Sequence, residues 1–425
     1  MRSRAATGEL HRTVDAVWRI ESARIIAAVA RIVRDVGVAE ELAQDALVAA
    51  LEHWPAEGLP DNPAAWLMTT AKNKALDRIR QAALHRRKQE ALGADADALG
   101  EHLTPDASDT LDDQDIGDDL LRLMFTACHP VLAREAQVAL TLKLLAGLST
   151  PEIARAFVQS EPTIAQRIVR AKRTLTNANV PFEVPRGEEL ESRLAAVLEV
   201  IYLIFNEGHT ATAGDDLMRP ALCEEAMRLA RMLAQLAPQQ REVHGLLALL
   251  ELQASRLRAR ADAQGRPILL MDQDRARWDW LLIGRALTAL ETARALPGEP
   301  GPYELQAEIA ACHARARRAE DTNWRGIVAA YDALLTIMPS PIVALNRAVA
   351  VSRAEGAATA LPLVDDIVDE GTLKDYHLLP AVRGDLLVTL GRLTEARAEF
   401  ERAATLAQNQ REKQLLLERA RQTLS

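Results

Sequence analysis

Residues 150–175, TPEIARAFVQSEPTIAQRIVRAKRTL, constrain the fold of this chain more than any other stretch. Ser149 opens S-x-x-E with Glu152, a capping box, and Pro151 stands in the first turn that follows. Ser160 caps a second helix, again with a proline, Pro162, near its start. Ile153, Ala154 and Phe157 supply an inner face for the first helix, and Ile164, Ile168 and Leu175 anchor the second. Two such helices across a tight turn make a helix-turn-helix, whose second helix enters the DNA major groove. Thr163, Gln166, Arg167, Arg170, Lys172 and Arg173 are left mainly outward. Residues early in such a helix reach base edges, a role for Thr163, Gln166 and Arg167; Arg170, Lys172 and Arg173 suit phosphates. The turn, Phe157-Val158-Gln159, lacks the frequent glycine, and a β-branched Val158 disfavours positive φ, so a longer or differently shaped turn is expected.

The basicity of this motif is local. The chain carries a net charge of −9. Residues 1–90 hold 14 basic and 12 acidic side chains, and 121–175 hold 8 and 3. Residues 91–120 hold 10 acidic and no basic side chains, while 176–425 hold 29 basic and 35 acidic. Nucleic-acid affinity rests on Lys and Arg neutralising phosphates, so DNA contact belongs to the first 175 residues. The remainder is a poor DNA surface and reads as a protein-facing one.

Few aromatics (4%) and an excess of Ala, Leu, Arg and Glu favour helix over strand, so the expected fold class is all-α. At roughly 150 residues per domain, this length suggests about two to four domains. No run of about 18 uncharged apolar residues exists, so nothing should span a membrane. The N-terminus MRSRAATGELHRTVD lacks the apolar core of a secretory signal, which points to the cytosol. Cys128, Cys223 and Cys312 are unclustered, so neither a disulfide framework nor a Cys-rich zinc site is expected, and each reads as a small buried apolar residue.

Residues 14–36 and 38–54 both carry apolar residues near a 3.6 period, the second with Glu40, Glu41, Gln44 and Asp45 on its polar side. Pro55 is expected to end that helix. Asn62 is a candidate N-cap with Pro63 first in a third helix, NPAAWLMTTAKNKALDRIRQ. Trp66, Leu67, Thr70, Leu76 and Ile79 face inward there, and Lys72, Asn73, Lys74, Arg78 and Arg80 gather in its second half. Such a cluster alone suits a helix C-terminus; a second basic element in the same chain favours DNA. The acidic run between the two reads as a self-repelling tether of thirty residues. It reaches at most roughly 100 Å, enough for two DNA-reading modules roughly 35–70 Å apart.

From about residue 188 the periodicity is helical throughout, with breaks near 208–216, 237, 264–271, 297–302, 339 and 356. Ile327-x3-Tyr331-x2-Leu334, Ala360-x3-Val364-x2-Ile367 and Ala396-x3-Phe400-x2-Ala403 start 33 and then 36 residues apart. That period belongs to tetratricopeptide units, which bury their faces only by stacking. Glu207, His209, Asp272, Asp274 and His313 are the residues a catalytic or metal site would draw on. None has ligand spacing, so capping and buried ion pairs are the favoured reading, with no catalytic residue, metal or cofactor. Trp278, Trp280 and Trp324 read as core anchors.

EELAQDALVAALEHW, NPAAWLMTTAKNKALDRIR and the helix-turn-helix together resemble regions 2 and 4 of extracytoplasmic-function (ECF) RNA polymerase sigma factors. IYLIFNEGHTAT, LLMDQDRARWDW, GPYELQAEIAACHA and PSPIVALNRAVAV resemble the subgroup with a long tetratricopeptide-like C-terminal extension. The resemblance implies region 2 over 1–90, an acidic linker over 91–117, region 4 over 118–180 and a helical extension over 186–425, with its repeats toward 324–425. It implies that Glu41, Gln44, Asp45 and Leu47 would bind the clamp helices of the polymerase β′ subunit, with region 4 on the β flap. Asp61, Asn62, Lys72, Asn73, Asp77 and Arg80 would recognise and melt the −10 element, and helix 160–175 would read the −35 element. The extension would regulate the factor in cis. Two other classes fit parts of the chain: a helix-turn-helix regulator with a sensing tail, and an enzyme with a DNA-binding head.

Overall fold

The structure is a computed structural model, and it describes residues 2–91, 113–157, 159–209, 219–262, 268–407 and 410–423. Every regular element among the described residues is helical. Most of the acidic stretch and Val158 lie outside them, and with them the tether and the turn shape expected there. The chain divides into two compact units, 1–203 and 204–425.

Unit 1 contains α1 (Arg2–Val33), α2 (Val36–Glu57), α3 (Pro63–Ala91), α4 (Asp113–Ala127), α5 (Arg134–Leu144), α6 (Thr150–Ala156) and α7 (Glu161–Asn177). The division falls inside α8 (Glu188–His209). Helix α1 packs against α2 and α3, and also against α4 and α5. Its buried stretch is Ala23 and Ile25–Ala30, met by Leu42, Ala43 and Ala46 of α2 and by Leu67, Ala71 and Ala75 of α3 among other buried residues of the unit. Small alanines at i, i+4 spacing on α3 let a helix approach closely. The buried stripe of α3 is therefore narrower than the sequence suggests, and Ile79 is 38% exposed.

Asp35 caps α2 by accepting from the Val38 N–H at 2.8 Å. Pro55 does not end this helix, which runs on to Glu57 with Gly58 as its C-cap. So near the terminus, the missing proline N–H deprives only one carbonyl of the last turns. Asn62 caps α3 as expected, its Oδ1 accepting from Ala65 N–H at 3.0 Å.

Unit 2 runs on through α9 (Pro220–Leu236), α10 (Arg241–Ser255), α11 (Trp280–Ala295), α12 (Pro302–Arg315), α13 (Trp324–Ile337), α14 (Pro341–Ala354), α15 (Ala357–Glu370), α16 (Leu378–Thr389), α17 (Leu393–Leu406) and α18 (Gln410–Gln422). From α12 on, each helix packs on the next, the arrangement of stacked helical hairpins. The three sequence repeats fall on α13, α15 and α17. Ile327, Leu334, Ala360, Val364, Ile367, Ala396, Phe400 and Ala403 are all buried. Tyr331 packs on the cluster of Leu305, Leu334 and Val343, and burial pushes its hydroxyl up to about 12. Arg383 of α16 ties neighbouring hairpins together, reaching Asp365 of α15 at 2.8 Å and Glu399 of α17 at 2.9 Å.

Of the tryptophans expected in the core, Trp278 is buried, but Trp280 is 37% exposed at the first turn of α11. Arg317 covers its ring at 4.8 Å, a cation–π contact at the surface.

Candidate nucleic-acid interface

The capping box forms as read. Glu152 N–H donates to Ser149 Oγ at 3.4 Å, while Ser149 N–H and Oγ–H donate to Glu152 Oε2 at 2.8 and 2.7 Å. Those bonds to the Ser149 hydroxyl and N–H, with Arg19 alongside, hold the Glu152 carboxyl below its ordinary value. Ser160 caps α7, accepting from Thr163 N–H at 3.3 Å. Ile164, Ile168, Ala171 and Leu175 turn inward, so one polar face of α7 is presented as a unit. On it Thr163, Gln166, Arg170 and Arg173 are exposed and Arg167 is half-buried.

Lys172 departs from that face. Its ammonium meets Glu40 Oε2 on α2, and Lys143 of α5 stands 3.6 Å from Glu40 Oε1. Thr176 adds a hydrogen bond to Asp35 Oδ2 at 2.8 Å. Farther along, Arg19 donates to Glu152 Oε1 at 2.9 Å and Arg31 pairs with the fully buried Asp119 at 3.3 Å. Residues before 92 and after 112 are therefore packed together within unit 1, where the sequence suggests two separated modules.

On α3, Asn73, Asp77 and Arg80 are exposed and Lys72 is half-buried; Arg80 pairs with Asp77 at 3.3 Å. Asp61 and Asn62 are exposed at its start, and capping occupies Asn62 Oδ1. On α2, Glu41, Gln44 and Asp45 are exposed and Leu47 is half-buried, with Val48 51% exposed next to them. Gln44 donates to Glu40 Oε1 at 2.8 Å.

Glu40, expected on the polar side of α2, is instead buried. A signal for it exists: Glu40 lies four residues after Val36 and three before Ala43, on the buried stripe of α2. A carboxylate at such a position needs a cation from another element.

Four of the five residues weighed for a catalytic site make structural contacts. Asp274 caps the turn at 275–277 through Ala276 N–H, at 2.9 Å, and Glu207 pairs with Arg219. His209 stacks on Phe205 and His313 stands edge-on to Trp324; burial lowers the two imidazoles to about 2 and about 4. Among the described residues no group of three or more His, Cys, Asp or Glu is placed to hold a metal. Cys128 and Cys223 are buried and Cys312 is half-buried, and burial raises all three thiols.

A helical head carrying α2 and α3, a helix-turn-helix head and a helical-repeat tail define a multidomain transcription protein. The family models agree on what kind: residues 19–84 match Sigma-70 region 2, residues 122–175 match Sigma-70 region 4, and residues 193–294 match a family of unknown function, DUF6596. The chain is 30% identical over 159 residues to the ECF RNA polymerase sigma factor SigK of Mycobacterium ulcerans (strain Agy99), covering 36% of this chain and 79% of that one. It is 44% identical over 383 residues to an uncharacterized protein of Rhizobium meliloti (strain 1021), covering 90% of this chain and 89% of that one. A tetratricopeptide repeat protein from Parabacteroides merdae overlays with a TM-score of 0.32 at 13% identity, over 64% of this chain and 97% of that one. So loose an overlay adds nothing to the packing of α12–α18 described above. The chain belongs to the ECF RNA polymerase sigma factors, and its partners are core polymerase and promoter DNA.

Proposed function

We propose the following division of labour for this sigma factor. Glu41, Gln44, Asp45 and Leu47 of α2 bind the β′ clamp helices, and the region 4 head sits on the β flap. Asp61, Asn62 and the α3 residues Lys72, Asn73, Asp77 and Arg80 recognise and melt the −10 element. Helix α7 reads the −35 element, Thr163, Gln166 and Arg167 at base edges and Arg170, Lys172 and Arg173 at phosphates. The acidic linker passes through the polymerase, and unit 2 regulates the factor in cis. The protein works in the cytosol and has no catalytic chemistry of its own. No helix among the described residues is long and apolar enough to cross a membrane.

The observation that carries this reading is the pairing, on one chain, of two different exposed faces. One is the acidic face of α2, with Glu41, Gln44 and Asp45; the other is the basic face of α7, with Arg170 and Arg173. A DNA-binding regulator needs only the second. Replacing Asp45 and Leu47 with alanine in the full chain tests the difference. Loss of core polymerase association with DNA affinity retained supports the assignment. Undiminished association removes α2 from it.

A further inference from the structure

Of the eight buried residues on α2, only Glu40 is charged. Its side chain is 4% exposed, and its cations come from across the seam: Lys172 of the recognition helix at one oxygen, Lys143 of α5 at the other. Gly37, on the same turn of α2, lets the backbone come close to Lys172; a Cβ there would stand 3.7 Å from Lys172 Cβ. Beside this contact a polar cleft of about 640 Å³ opens, lined among others by Arg31, Arg34, Arg122 and Lys172. Removing one partner of a buried pair leaves an uncompensated charge, so Glu40 favours this docked pose over alternatives that lack a lysine.

We propose that unit 1 as packed here is a shut form of the initiation factor, in which Glu40 withdraws Lys172 from the recognition helix and keeps the two heads too close to reach both promoter elements. This depends on α3 and α7 being the two promoter-reading helices. In the shut form α2 touches α7, whereas DNA elements one or two helical turns apart lie roughly 35–70 Å from each other. One pose excludes the other. Opening returns Lys172 to the face that carries Arg170 and Arg173, and returns Glu40 to solvent beside Glu41. Both proposed binding surfaces gain charge in the same step. Polymerase and promoter therefore select the open form, and their apparent affinity is reduced by the shut fraction.

The test is a disulfide staple in the full chain, Gly37→Cys with Lys172→Cys. The 3.7 Å between the Cβ positions falls near the ~3.8 Å mean of natural disulfides. The bridge is expected to form under mild oxidation without denaturant. Run-off transcription is expected to fall at least about tenfold on oxidation and to recover with reductant, as a population shift of that size requires. Each single variant, whatever its own basal rate, should initiate equally in oxidant and in reductant, which separates the staple from oxidation of the three native cysteines. A bridge that fails to form, or a bridged protein that initiates as well as its reduced form, overturns the proposal. The bridge reports docking even if the natural chain initiates no RNA, an outcome that would instead strike the sigma-factor assignments. Glu40→Gln gives a second reading: promoter complexes should form severalfold faster than with the natural chain, and an unchanged or slower rate contradicts the lock.

Discussion

Arg193 of α8 donates a 2.9 Å hydrogen bond to the backbone carbonyl of Phe125, the buried aromatic residue of α4. Through it, and through the buried Leu194, Val197, Leu198 and Val200, the first half of α8 belongs to the promoter-reading unit and not to the tail. Arg193→Ala leaves that carbonyl unpaired in the core. A loss of about 1–3 kcal/mol is expected, read as a lowered urea midpoint in the unfolding of the full chain. A change confined to the last repeats contradicts this placement.

The capping box sets a stability difference at the start of the helix-turn-helix. Ser149→Ala should cost about 1 kcal/mol, measured by denaturant unfolding. The Glu152 carboxyl is lowered in the folded state, so its contribution is complete above 4.5, the ordinary value, and is lost as pH falls through the lower folded value. Glu152→Gln should flatten that part of the stability profile. A profile unchanged by the substitution counts against the box.

The base and phosphate contacts proposed for α7 are separable by their salt dependence. Arg170→Ala should weaken binding about evenly across promoter sequences and reduce the salt slope by about 1. Arg167→Ala should relax preference at one −35 position, costing about 1–3 kcal/mol. Competition binding against a panel of −35 variants at several salt concentrations checks both. A switched base preference for Arg170→Ala refutes the assignment.

Two buried imidazoles give unit 2 an acid limit. His209 and His313 are lowered to about 2 and about 4 from 6.5 because burial disfavours their cations. Below 6.5 the unfolded chain takes up protons that the folded chain refuses, so stability falls as pH drops from 6.5 toward 4 and is fully present above 6.5. Combining His209→Gln with His313→Gln should lower stability at neutral pH and remove most of that slope in thermal unfolding. A slope that survives locates the titration elsewhere.

Gly384 of α16 faces the Phe400 ring, and a Cβ there would stand 2.8 Å from a ring carbon. Gly384→Ala should overpack the α16–α17 contact by about 1–3 kcal/mol. Amide exchange should report it as faster opening of α15–α18. Exchange confined to the ends of the helices would show that the ring moves aside freely.

Elements set by local chemistry were legible in the sequence. Ser149, Ser160 and Asn62 act as caps because a side-chain oxygen needs only the next turn of its own helix. The repeats at Ile327, Ala360 and Ala396 were legible for the same reason, since their spacing alone places them on one face. Features set by a partner across space were not. Periodicity puts Ile20 and Ile79 on apolar stripes but does not tell how far the neighbouring helix extends, and they are 70% and 38% exposed. Glu40 reads like its neighbour Glu41 until Lys143 and Lys172 are brought to it from the other head. Lys172 likewise reads as one more outward cation, and only the docking of α7 on α2 turns it aside.

Run-off transcription with bacterial core polymerase and the full-length chain is the most direct measurement. Transcripts that start at a defined site, and that vanish when Asp45 and Leu47 are replaced by alanine, are the expected result. Failure to bind core polymerase, or to initiate from any template in a promoter library, would contradict the assignment of this chain to transcription initiation.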